Sequence, residues 1–152
     1  MEGLKEMKKI RLFLDPILYH MEDSSGFANS QYIDLLEGEV VSPDVSDDID
    51  YEDVENDDRY FYIEPITSEE GYEIMQDFAA SEESDEIRNH LFDALERKKP
   101  FLNFKEALRD YPDREKTFYE YKDNRLKEIL KKRLAECGYE LEEETLQEAD
   151  RH

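Results

Sequence analysis

The chain has 152 residues and a formal net charge of -22, and 41% of it is charged where about 25% is usual. Its one cysteine, Cys137, excludes an intramolecular disulfide framework, so a reducing cytoplasm is the expected setting, and no apolar run approaches the roughly 18 residues a membrane helix needs. Ten Tyr and eight Phe exclude a composition typical of disordered chains, and the length suits one domain with one core.

Charge is sorted along the chain. Residues 20–87 hold 23 acids against the single base Arg59, whereas residues 97–133 hold 13 bases against 7 acids. Such a split steers partners without fixing a fold, and its plainest meaning is solvation. The bases Lys5, Lys8 and Lys9 open the sequence, but Arg11 and Asp15 interrupt the apolar residues after them, so no secretory leader is read there.

Leu4, Met7 and Ile10 suit a helix, yet Ile10, Leu12 and Leu14 alternate, and a short strand is expected at 10–13. Asp15-Pro16 then starts a helix running through Met21, and 24–29 reads as a loop around Gly26. Residues 31–36 and 40–41 form a hairpin about Gly38, because glycine supplies positive φ. From Glu39 to Asp58 there are ten acids and no base, so 43–57 reads as a mobile acidic loop. Tyr60 to Ile63 makes a third strand, which Pro65 ends.

The remainder is helical. Thr67 and Glu70 form a capping box ahead of Tyr72, Met75 and Phe78. Ser84 or Asp85 opens a helix carrying Ile87, Leu91 and Ala94. Pro100 opens another, expected to bury Phe101, Phe104, Leu108 and Tyr111. Pro112 begins the last, whose stripe runs from Phe118 and Tyr121 to Leu134 and stops at Gly138. The expected fold is α+β: a small three-stranded antiparallel sheet packed against a bundle of about four to five helices. Residues 1–140 form this domain in the reading, and 141–152 an acidic C-terminal tail.

Tyr32-Ile33-Asp34-Leu35, Gly38-Glu39-Val40-Val41, Tyr72-Glu73-Ile74-Met75 with Phe78, then Phe101, Phe104-Lys105 and Phe118-Tyr119-Glu120-Tyr121-Lys122-Asp123 occur in an order that resembles a bacterial uncharacterised protein family, number 0158, over roughly residues 10–140. The resemblance implies an architecture and a bacterial origin and brings no activity with it. The chain departs from the family pattern where Arg97, Lys98, Lys99 and Pro100 replace a Gly-Lys-Gly turn. Leu102, Asn103 and Lys122 stand where arginines are usual, and Phe118 stands for a tryptophan. If those bases grip a shared anion, this chain does so less well, because lysine lacks the bidentate fork of arginine.

Chemistry leaves little trace. Asp48, Asp50 and Glu52 have the alternate spacing of a calcium loop, but Asp53 replaces the turn glycine and Arg59 the closing glutamate. His20, His90 and His152 form no zinc pattern. Cys137 continues the stripe of Leu130 and Leu134 and is expected to pack, and neither a serine elbow nor a phosphate-binding glycine loop is present. No catalytic residue, cofactor or metal is expected. The remaining candidates for contact with a partner or anion are Arg97, Lys98, Lys99, Lys105, Arg109 and Lys122, interleaved with Phe101 and Phe104. The leading expectation is a cytoplasmic, non-catalytic module that binds a protein. An acidic nucleic-acid mimic is the alternative, with weak nucleic-acid binding through 97–133 a distant third, since -22 overall repels phosphate.

Overall fold

Ile10, Leu12 and Leu14 are all buried in the computed structural model, which describes residues 7–22, 31–43 and 51–142. The strand itself, β1 (Lys8–Ile10), lies earlier than the expected 10–13 because its position is set by a distant partner, β5 (Tyr139–Leu141). The two run parallel in register Lys8 to Tyr139 and Ile10 to Leu141. Leu141, read from the sequence as the start of a tail, is buried there, and residues 143–152 lie outside the described residues. Helix α1 (Leu14–Glu22) comes next, burying Ile17, Leu18 and Met21, with Pro16 in the first turn where its missing N–H costs nothing. The loop expected at 24–29 lies outside the described residues.

β2 (Tyr32–Asp34) is the centre of an antiparallel sheet, flanked by β3 (Glu39–Val41) and β4 (Tyr60–Tyr62) in the order β3, β2, β4. The three expected strands are all present. The hairpin turn closes on Gly38 at φ 79, whose N–H donates to the Asp34 carbonyl at 2.6 Å. A Cβ at Gly38 would overlap the Arg11 carbonyl oxygen, and Phe13 donates its N–H to the Gly38 carbonyl at 3.1 Å. The segment after β1 is thus laid directly against the hairpin.

The acidic stretch departs from the expected loop: α2 (Tyr51–Asn56) is helical, with Val54 only 3% exposed. One apolar side chain among acids finds the core, and a helix this short leaves no periodicity to read. Glu52 and Asp53 are exposed on it, while Asp48 and Asp50 lie outside the described residues.

The helices after Ile66 obey their local signals. In α3 (Ser68–Ser81), Thr67 and Glu70 complete the capping box, with bonds of 2.8 and 3.0 Å. Ser84 caps α4 (Asp85–Leu95) by accepting from the Ile87 N–H, and Pro100 opens α5 (Pro100–Leu108). α6 (Pro112–Glu136) is the longest element. Two expectations fail here. Phe101 is 38% exposed, because in a helix opening at Pro100 the buried positions are Phe104, Ala107 and Leu108. Cys137 is exposed, since it sits beyond the end of α6 in the turn to Gly138 (φ 89) and no longer continues the stripe.

The chain divides into two compact units: residues to Ile66 together with those from Leu126 on, and Thr67–Arg125. In the first, Leu126, Leu130 and Leu134 of α6 join Ile10, Leu12, Ile17 and Ile33 in one core, and Arg133 donates to the Glu64 carbonyl at 2.6 Å. In the second, the rings of Phe78, Phe104, Phe118 and Tyr121 meet at centroid distances of 5.1 to 5.4 Å in edge-on or tilted geometry, which suits aromatic quadrupoles.

Candidate functional site

The sequence candidates gather at the junction of α4 and α5 and on α5 itself. Lys99 caps α5 with φ 56 and ψ 58, a left-handed conformation costing an L-residue roughly 1–2 kcal/mol. The junction is stapled by Asn103, whose Nδ2 donates to the Lys98 carbonyl at 2.6 Å and the Lys99 carbonyl at 3.2 Å. A glycine at this position meets the same backbone demand without that cost.

The six candidates divide by what they touch. Arg97 donates to Asp93 at 2.7 Å, one helical turn back, in an exposed and therefore well-screened pair. Lys122 lies over the Tyr119 ring at 4.8 Å and the Phe118 ring at 5.6 Å. Lys98, Lys99, Lys105 and Arg109 are exposed, and no ion pair engages them among the described residues.

Helical spacing sorts α5 into two faces. Phe104, Ala107 and Leu108 point inward. Phe101, Leu102, Lys105 and Arg109 are related by three and four residues, which places them together on the outer face. Leu102 is 51% exposed there. The result is an apolar step flanked by bases, with Lys98 and Lys99 at its N-terminal end. It can hold an apolar side chain and draw in carboxylates.

Other polar groups engage one another in specific hydrogen bonds. His90 Nδ1 lies 2.9 Å from the Tyr111 hydroxyl. Burial pushes the Tyr111 hydroxyl pKa up, with the nearby Glu86 and Asp110 charges adding to it. Arg125 donates to Asp77 at 3.0 Å and to the Tyr121 hydroxyl at 2.7 Å. Among the described residues there is no cluster of three metal-ligating side chains, and no helix is long and apolar enough to cross a membrane.

Sequence reading missed one buried charge. Asp34 is 5% exposed, and it accepts two 2.7 Å bonds from Arg59 and the N–H groups of Leu36 and Glu37. Burial alone would raise its pKa, but Arg59 and the two amides outweigh that and hold the carboxyl below the usual range. A signal was present, since Arg59 is the single base between residues 20 and 87. An isolated base amid acids marks a specific partner.

The profile of an uncharacterised protein family, UPF0158, matches residues 11–148. The UPF0158 protein PA5073 of Pseudomonas aeruginosa is similar to this chain, at 30% identity over 125 residues that cover 80% of each. No solved structure matches this chain. With the family pattern extending over both units and nearly all the described residues, the chain belongs to the uncharacterised protein family UPF0158.

Proposed function

We propose that this chain is a non-catalytic protein-interaction module whose outer α5 face takes an acidic protein segment anchored by an apolar side chain. The observation that carries the reading is the stripe of Phe101, Leu102, Lys105 and Arg109, whose bases no ion pair engages among the described residues, in a chain with 42 acids. Exposed apolar side chains beside bases that no ion pair engages among the described residues form the kind of surface partners use. A cytoplasmic setting fits the single cysteine.

The mimic reading draws support from Glu69, Glu73 and Asp77, which share one face of α3 at a rise of about 6 Å each. Arg125 engages Asp77, which shortens the free row to two carboxylates. That is thin support beside the α5 stripe.

The test is capture from bacterial lysate at low salt, comparing the native chain with a Phe101→Ala, Leu102→Ala, Lys105→Glu variant. A stoichiometric protein should be retained by the native chain and lost from the variant and at high salt, where exposed charges are screened beyond a few ångströms. Absence of such a protein, or equal retention by the variant, overturns the reading.

A further inference from the structure

In the antiparallel sheet, the hydrogen bonds fix which way each backbone group of β4 points. The Leu35 N–H donates to the Arg59 carbonyl and the Ile63 N–H to the Gln31 carbonyl, each at 2.8 Å, so 31 with 63, 33 with 61 and 35 with 59 are the bonded pairs. Tyr60 and Tyr62 therefore aim their N–H and C=O groups away from β2, toward the open side of the sheet, because β4 is its outer strand. The Tyr60 N–H is taken by the Asp57 carbonyl at 3.0 Å, and past the strand the Glu64 carbonyl is taken by Arg133 at 2.6 Å. Between them remain the Tyr60 C=O and both groups of Tyr62, which no hydrogen bond meets among the described residues. Outer strands are usually blunted by lysine, proline or a bulge. Tyr60-Phe61-Tyr62 has none of these, and its register with β2 runs unbroken.

The two faces beside this edge differ. Side chains alternate along a strand, so Phe61 lies with Ile33 and Val40 on the core face, and Tyr60 and Tyr62 lie with Tyr32 on the other. There the Tyr32 and Tyr62 rings meet at 5.4 Å between centroids, and Tyr62 is still 47% exposed. Burial raises the Tyr32 hydroxyl pKa and the Glu55 charge adds to it, which sets that carboxylate beside the tyrosine face. From 52 to 64 the chain carries six acids and one base, Arg59, which Asp34 holds through two 2.7 Å bonds. An extended segment laid along β4 would thus meet acids and rings on one side and the core face on the other. Lysine or arginine suits the first side, being drawn both to carboxylates and to ring faces, and an apolar side chain suits the second.

We propose that β4 takes a further antiparallel strand from a protein partner, an extended segment in which bases alternate with apolar residues. One partner residue exchanges both backbone bonds with Tyr62, and the residue two further on donates to the Tyr60 carbonyl. Bases at these two positions fall on the tyrosine face, and the residue between them falls beside Phe61. The edge shares no residue with the α5 stripe and asks for the opposite charge, so either can fail without the other.

The probe is a heptapeptide of alternating lysine and valine, titrated into the full chain and followed by backbone amide shifts and hydrogen exchange. Saturable shifts should appear at residues 60–64, and the Tyr62 amide should pass from rapid to protected exchange. The same peptide methylated on its lysine backbone nitrogens keeps every charge but loses the donors, and should bind roughly tenfold more weakly or worse. Glu55→Lys, at an exposed position of α2, should weaken the unmethylated peptide several-fold through repulsion. The proposal is overturned by absence of saturation at millimolar peptide, by undiminished affinity in the Glu55 variant, by shifts that leave residues 60–64 unmoved, or by equal binding of the methylated peptide or of one with its lysines and valines in two blocks.

Discussion

The unit built on the sheet and the helical unit Thr67–Arg125 solve the same problem, making a core from an acid-rich chain, by opposite means. The first relies on contacts between residues far apart in sequence: β1 with β5, Asp34 with Arg59, and Gly38 against Arg11. The second relies on local signals and on rings. Its helices are begun by caps and prolines, and Phe78, Phe104 and Phe118 close the space between them. The difference shows where charge is structural. A buried carboxylate holds the sheet, whereas among the helices the bases are mostly left at the surface.

The sharpest way to break that comparison is Phe118→Ala. Phe118 is 1% exposed and touches two other buried rings, so its loss should cost about 3–5 kcal/mol. Native-state hydrogen exchange should show protection falling first in residues 67–125, and equal loss across β2 and β4 would mean that the two units do not differ in this way. Next is Gly38→Ala, expected to cost roughly 2–4 kcal/mol from left-handed strain and from overlap with the Arg11 carbonyl. Urea denaturation checks it, and a loss within about 0.5 kcal/mol would show that the turn can shift.

Asp34→Asn tests the charged pair and should cost about 1–3 kcal/mol at neutral pH, because a buried hydrogen-bonded charge is removed while its partners remain. Its pH dependence is set by the direction of the shift. The folded carboxyl titrates below the 3.8 of the free group, so the unfolded chain takes up the proton more readily. The stability Asp34 contributes is full above that value and is lost as pH falls through the lower folded one. Native and variant stabilities should therefore converge on acidification below about pH 4, and a constant gap would mean that the charge is irrelevant. The smallest effect is Lys99→Gly, which relieves a left-handed residue and should raise stability by up to about 1 kcal/mol. A lower denaturation midpoint would show that the junction is held by the lysine itself.

Legibility in the sequence divides along the same line. Thr67, Glu70, Ser84, Pro100 and Pro112 each act on their own neighbourhood, so the four later helices were legible from the sequence. The hairpin was legible too, because Gly38 sits between two β-rich runs. The β1 to β5 pairing was not: Tyr139-Glu140-Leu141 carries no strand signal until its partner is known. Nor was α2, whose one apolar anchor, Val54, is hidden in an acidic run. For the candidate surface, residue type named Lys98, Lys99, Lys105 and Arg109. Only the start of α5 at Pro100 revealed that Phe101 faces outward with them rather than joining Phe104 in the core.

The parallel pairing of β1 with β5 links segments 131 residues apart, as the Arg11 to Glu142 contact measures. During synthesis β1 therefore leaves the ribosome unpaired and stays so until residue 141 has been added. Residues 67–125 have every helix they pack against well before that point. Acquisition of structure should thus run from the middle outward, with the sheet unit sealed last, and the exposed strand in the interval is the segment most open to chaperone capture.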